Sequence, residues 1–305
     1  MRTGFRSKYY EPQKLGRIKN LQLLARTVVE GYISGLHRSP FKGFSSEFAE
    51  YRQYLPGDDL KHFDWKVFAR TDKRYVKQYE EETNMTCTLL LDASGSMAFG
   101  SGDGGEGEHF TKFDYACCRV AALTYLMIQQ RDQVGLVVFD DEVRLRIPPR
   151  NSPAHMKNIL ERLEGSTPSG GTAIAQSLHA VAESTRRRGL VVLLSDLVDD
   201  QGAVLNALNH FRHDRHEVLV FNLFDRAERE LPFEGLVEFE DMETGRKMQV
   251  RTDVIRQEYQ SRFEQFVRRY GEGCAASQVD YQVVTTDTPY EMMLAAYLNR
   301  RANCK

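Results

Sequence analysis

Thr86–Met97 reads TCTLLLDASGSM. A short run of apolar and β-branched residues stops at Asp92, and hydroxyls follow at Ser94 and Ser96 with Gly95 between them. Such a run, bounded by turn residues, has the pattern of a strand. A strand that spills into D-x-S-x-S places one carboxylate and two hydroxyls on a tight loop at the carboxyl edge of a sheet. That edge is where open α/β sheets bind ligands. Hard oxygens converging on one point suit a hard cation, Mg²⁺ before Zn²⁺.

Downstream of this stretch the pattern alternates. Phe113–Gln130 predicts a helix that buries Cys117, Val120, Leu123, Leu126 and Met127. Gln133–Phe139 predicts a buried strand. Only Asp140-Asp141-Glu142 separates it from a second strand, Val143–Ile147, which is too short for a crossover, so the two form an antiparallel hairpin. Helices follow over Pro153–Leu163 and Ala173–Ser184, then a strand over Leu190–Leu194, a helix around Ala203–Arg212 and a strand over His216–Phe224. Helices over Ile255–Tyr270 and Tyr290–Arg301 flank a last strand, Tyr281–Thr285. The expectation is an α/β fold: a mostly parallel sheet with one antiparallel edge strand and helices on both faces. Leu236–Glu240 and Lys247–Val250 flank Met242-Glu-Thr-Gly245, which predicts a small surface hairpin inserted near 232–250.

Residues 1–85 are of another kind. Ile18, Leu21, Leu24 and Val28 recur at helical spacing within Lys14–Ile33. Residues 37–82 are dense in aromatics, charges and turn signals. They are expected to lie on the main domain as an extended, salt-bridged flap, with Arg52, Arg70 and Arg74 opposite Glu47, Asp58, Asp59 and Asp64. The expected organisation is therefore an N-terminal helix and extended segment over 1–85, packed on a main domain over 86–305.

The chain has 305 residues, 41% hydrophobic and 28% charged, and a net charge of −2. These values are those of a soluble globular protein, and the charge balance excludes a general polyanion binder. Arg186–Arg188 and Arg300-Arg301 fall at helix ends, where they complement the helix dipole, so no nucleic-acid partner is expected. The five cysteines are odd in number and form no C-x-x-C pair. That fits reduced thiols in a cytoplasmic protein rather than a disulfide framework or a zinc ribbon. The first residues lack the apolar stretch of a signal peptide. No apolar run approaches the roughly 20 residues of a membrane span, and a cytoplasmic location is expected.

Two later segments belong beside Asp92. Ser169-Gly-Gly-Thr172 is a Gly-rich loop opening a helix, and Leu193-Leu-Ser-Asp196 is a second strand ending in a carboxylate. A D-x-S-x-S loop, a G-G-T loop and a strand-end Asp, in that order, resemble the metal-ion-dependent adhesion site (MIDAS) of von Willebrand factor A domains. The resemblance implies that Ser94, Ser96 and Thr172 ligate Mg²⁺ (or Mn²⁺) through hydroxyls, and that Asp92 and Asp196 ligate directly or through water. Three neutral ligands of five leave the cation much of its charge. An open coordination position then attracts a Glu or Asp carboxylate from a protein partner.

Upstream, Phe48-Ala-Glu-Tyr-Arg-Gln-Tyr-Leu-Pro-Gly-Asp-Asp59, Phe63-Asp-Trp65, Ala69-Arg70, Arg74-Tyr-Val76 and Glu80-Glu81 resemble the signature of the domain of unknown function 58 (DUF58) family. The likeness spans about residues 30–301 and implies a von Willebrand A-type domain. It also implies a non-enzymatic role as adaptor or chaperone-like partner of a MoxR-type AAA+ ATPase. One departure is the Gly/acidic insertion Gly100–Glu108, which could cover the metal or obstruct a partner.

Competing motifs fail on chemistry. Gly100–Gly105 matches G-x-G-x-x-G, but Asp103, Glu106 and Glu108 would repel a pyrophosphate. There is no G-x-x-x-x-G-K-[ST], so the chain is not itself a P-loop ATPase. An aspartyl phosphotransferase needs an acid/base two residues after its nucleophile, where Ser94 stands. His210, His213 and His216 read as surface histidines near a helix C-terminus rather than zinc ligands. The alternative function is a metal-dependent hydrolase or phosphotransferase using the same cation, with Asp140, Asp141 or an upstream His as the base.

Overall fold

The computed structural model describes residues 85–105 and 108–289, together with 25–26, 28–29, 51–53, 65–71, 74–77, 293–295 and 297–298. The chain divides into two units, Ile33–Asn84 and the remainder, Met1–Tyr32 with Met85–Lys305. In the smaller unit, β1 (Tyr51–Gln53) is followed by α1 (Trp65–Thr71) and by β2 (Tyr75–Lys77), which pairs antiparallel with β1. The acidic partners expected for Arg52, Arg70 and Arg74 lie outside the described residues.

The larger unit begins with β3 (Thr86–Asp92), a single 3₁₀ turn over Gly95–Ala98, and the short antiparallel pair β4 (Gly102–Gly105) and β5 (Glu108–Phe110). It continues through α2 (Lys112–Gln129), β6 (Gln133–Phe139), β7 (Val143–Arg150), α3 (Pro153–Glu164), α4 (Ile174–Ser184), β8 (Leu190–Ser195) and α5 (Gln201–His213). Then come β9 (Glu217–Phe224), α6 (Arg226–Glu230), β10 (Leu236–Glu240), β11 (Lys247–Arg251), α7 (Thr252–Ala276) and β12 (Asp280–Thr285). Of the two terminal helices expected, only fragments fall among the described residues. Both are helical and buried, through Ala25, Val28 and Val29 and through Met293, Leu294, Tyr297 and Leu298.

Six strands form one sheet in the order β12-β9-β8-β3-β6-β7. All neighbours are parallel except β7, which pairs antiparallel with β6 at one edge. The central strands are apolar at nearly every position because both faces are covered. Leu90, Val191, Leu193, Val218 and Val220 share one core with Ile174 and Leu178 of α4, Val204, Leu208 and Phe211 of α5, and Tyr270 and Cys274 of α7. On β3 and β6 also packs α2, which carries α3 against it; Leu89 and Leu91 are fully buried between the residues that face the first core. The expected α/β architecture is the one observed.

Three local expectations need revision. The antiparallel strand runs on through Pro148 and Pro149, which an edge strand tolerates because one side donates to no ladder. The helix expected over Ile255–Tyr270 extends to Ala276, past two glycines. Gly273 serves packing rather than termination: a Cβ there would lie 2.5 Å from Leu205 Cδ1 of α5. Of the three histidines read as surface groups, only His213 is fully exposed. His216 is buried with its Nε2 3.1 Å from the Thr185 carbonyl oxygen, and His210 Nδ1 lies 3.2 Å from His179 Nδ1.

Leu90 is fully buried in the sheet centre. Truncation by Leu90→Ala is expected to cost about 2–5 kcal/mol in urea denaturation. Met248→Ala, on the exposed hairpin, should shift stability by no more than about 0.5 kcal/mol.

Candidate functional site

Strand β3 delivers Asp92 to the carboxyl edge of the sheet, between the ends of β6 and β8. Asp92 is fully buried. Its Oδ1 accepts the Ser94 N–H at 2.9 Å and its Oδ2 accepts the Ser195 hydroxyl at 2.5 Å. The chain then turns at Ser94 into the 3₁₀ turn, which brings Ser94 Oγ and Ser96 Oγ to 3.2 Å.

Backbone hydrogen bonds bind the Gly-rich loop to this turn. Gly95 N–H donates to the Gly170 carbonyl at 3.3 Å, and Ser169 N–H donates to the Ala93 carbonyl at 2.9 Å. A Cβ at 95 would crowd the carbonyl oxygens of Gly170 and Met242 at 3.1 Å, so a larger residue there requires the loops to give by a few tenths of an ångström. Gly170 holds φ +82°, a conformation that L side chains rarely adopt. Arg144 fastens the same loop: it pairs with Asp140 and donates to the Thr167 carbonyl at 3.1 Å and to Ser169 Oγ at 2.8 Å.

Asp196 follows β8 and is also fully buried. Its Oδ2 accepts from Lys112 Nζ at 2.8 Å, and the same ammonium donates to Glu228 Oε1 at 2.6 Å. Lys112 occupies the first turn of α2, behind a capping box in which Thr111 and Asp114 exchange hydrogen bonds of 3.0 Å. A cation at a helix N-terminus opposes the dipole, and burial disfavours its charge. The Asp196 and Glu228 carboxylates outweigh both and hold the Lys112 pKa above its usual range. Burial, and next the Asp196 charge, push the Asp92 carboxyl up to about 7, against the hydrogen bonds from Ser195 and Ser94.

Thr172 lies on the Gly-rich loop and donates its hydroxyl to the Glu243 carboxylate at the tip of the β10–β11 hairpin. The N-cap of α4 is Ala173, and Asp199 Oδ2 accepts the Ala175 N–H from a distant loop at 3.2 Å. The structure thus gathers Asp92, Ser94, Ser96 and Asp196 at the strand ends and brings the Thr172 loop against them. Two carboxylates and three hydroxyls make a hard-oxygen donor set that fits Mg²⁺ or Mn²⁺. Asp92 and Asp196 are fully buried beside each other, and the one buried ammonium, Lys112, pairs with Asp196 and the half-buried Glu228 rather than with Asp92; that local surplus of acid favours a cation. Among the described residues no group of three or more His, Cys, Asp or Glu side chains is assembled for a metal; the candidate centre mixes acids with hydroxyls. The start of the Gly/acidic insertion is tied to Asp225 at the end of β9 through the Ser101 N–H at 3.1 Å.

Three contributors lie outside the motifs, Lys112, Glu228 and Glu243, and a fourth, Ser195, stands inside the strand-end segment with no role assigned from sequence. A lysine in the first turn of a helix whose other positions are largely apolar is the one signal that marked any of them.

A mostly parallel six-stranded sheet with an antiparallel edge strand and helices on both faces is an α/β fold of the von Willebrand A type. Residues 50–269 match the family described as Protein of unknown function DUF58, and the chain belongs to that family. It is 29% identical over 240 residues to the uncharacterized protein Rv1480 of Mycobacterium tuberculosis, covering 77% of this chain and 73% of that protein. Among solved structures, BatB from Bacteroides thetaiotaomicron superposes with TM-score 0.50 at 16% identity, covering 72% of this chain and 99% of that one. The VWA domain of SpRpn10 gives TM-score 0.42 at 9% identity over 70% of this chain and 94% of that one.

With the folded-state pKa of Asp92 near 7 and an unfolded value near 3.9, folding takes up a proton between those values. In EDTA this group therefore lowers stability as pH rises from about 4 to about 7. Asp92→Asn is expected to be more stable than the parent at pH 8 and to lose that advantage near pH 4, measured by urea denaturation. A difference independent of pH would contradict the assignment.

Proposed function

We propose that this domain is a non-enzymatic, metal-dependent protein-interaction module. Asp92, Ser94, Ser96, Thr172 and Asp196 would hold Mg²⁺ (or Mn²⁺), and the cation would offer a Lewis-acidic open position to a Glu or Asp carboxylate of a partner protein. The observation that carries this reading is the convergence of the two loops and the strand-end Asp, locked by the Gly95–Gly170 and Ser169–Ala93 hydrogen bonds. Hydroxyls from Ser94, Ser96 and Thr172 would leave the cation under-neutralised, which favours a charged sixth ligand.

A clasp of this kind requires ligands held in one orientation. Ser195 and the Ser94 N–H orient the Asp92 carboxylate, Lys112 orients Asp196, and the sheet fixes both strand ends. Asp140, one candidate base for hydrolysis, is already engaged within the fold. It is buried, paired with Arg144 and accepts the Glu142 N–H at 3.0 Å.

The partner proposed is a MoxR-type AAA+ ATPase, which rests on the DUF58 resemblance, with this domain as its adaptor. A cytoplasmic setting is proposed with it. In support, Cys87, Cys117 and Cys274 are free and buried, as in a reducing compartment. No helix among the described residues is long and apolar enough to cross a membrane.

Mg²⁺ at ten times its dissociation constant should stabilise the domain by about 1.4 kcal/mol, a rise in Tm of roughly 2–3 °C. Asp92→Ala should abolish that rise. Affinity capture from a lysate containing the MoxR-type ATPase should retain it with Mg²⁺ and release it with EDTA; capture that is indifferent to both EDTA and Asp92→Ala refutes the proposal.

A further inference from the structure

The hairpin formed by β10 and β11 projects its turn onto the same edge as the candidate metal centre. Glu243 accepts the hydrogen bond of Thr172 Oγ1, and its Cγ lies 3.0 Å from where a Gly95 Cβ would stand. The Met242 carbonyl oxygen crowds the same glycine at 3.1 Å. Two of the three motif loops are therefore touched by one turn that neither motif predicts.

The turn is pre-shaped. Asp241 Oδ1 accepts the N–H groups of Glu243 at 2.8 Å and of Thr244 at 3.1 Å, and these bonds hold the Asp241 pKa below its usual value. The Gly245 N–H returns to the Asp241 carbonyl at 2.8 Å, with Gly245 at φ +66°. Across the strands, Lys247 pairs with both Glu238 and Glu240 at 3.3 Å. The tip itself stays exposed, with Met242 at 52%. A carboxylate displayed on an ordered but unburied turn can be held at the site and can also be removed without opening a core.

We infer that Glu243 is the chain's own occupant of the open position at the metal centre: an in-chain carboxylate that a partner's Glu or Asp must displace. This rests on the metal-dependent reading of Asp92, Ser94, Ser96, Thr172 and Asp196. The hairpin acts as a tethered competitor, so its high effective concentration sets the affinity that a partner carboxylate has to exceed. Only partners that add contacts beyond the carboxylate then bind well, which gives the site selectivity that a bare cation lacks.

The test uses Mn²⁺ as the metal and acetate as the carboxylate probe, read by water-proton relaxation on the full chain. Glu243→Gln keeps the acceptor for Thr172 but removes the charge, and Glu238→Gln on the same hairpin is the control. Relaxivity per bound Mn²⁺ should rise in Glu243→Gln as water enters the vacated position. Mn²⁺ affinity should fall by about tenfold, and acetate should quench the added relaxivity at concentrations that leave the parent unchanged. The control should behave as the parent does. If Mn²⁺ binds both proteins with equal affinity, relaxivity and acetate response, Glu243 is not a ligand and the metal reading survives. If the parent binds no Mn²⁺, both the inference and the reading it rests on fall.

Discussion

Two carboxylates fully buried at neighbouring strand ends repel each other where water cannot screen them. The fold answers this constraint with specific groups. Lys112 is driven into the interior from the first turn of α2 and bridges Asp196 to Glu228. Ser195, the residue just before Asp196, turns its hydroxyl onto Asp92. A buried lysine of this kind adds little net stability, because desolvation offsets much of its attraction. It serves to aim the Asp196 carboxylate.

The sheet and the site divide the labour. Leu, Val and Phe side chains on both faces of the parallel strands supply the stability, and they do so irrespective of what stands at the strand ends. The edge is then free to carry residues that are individually unfavourable: buried acids and a cation opposing a helix dipole. Arg144 and the backbone bonds of Gly95 and Ser169 restrain the loops so that these residues keep one arrangement.

The parts of this arrangement legible in the sequence are those with local signatures. A β-branched run ending in Asp92 marks both a strand and its exit point. The short Asp140–Glu142 link forces an antiparallel edge, and the order of the D-x-S-x-S, G-G-T and strand-end Asp segments marks one shared rim. The rest depends on tertiary packing. Pro148 and Pro149 look like a strand terminus until the strand is known to be an edge. Gly273 looks like a helix stop until Leu205 is seen against it. Lys112 and Glu228 lie 116 residues apart, and Glu243 sits in a turn whose composition says only that it is exposed. His216 has the neighbours of a surface histidine in sequence and those of a core histidine in space.

The bond between Ser195 and Asp92 joins residues 103 positions apart. No partial chain ending before β8 contains both acids, and β8 is the strand that closes the sheet between β3 and β9. The repulsion between Asp92 and Asp196 therefore enters late, when long-range pairing is already the slow part of forming a parallel sheet. The two acids meet only once the β3–β8 pairing is made, so the rim of the site is completed by the same pairing that builds the centre of the sheet.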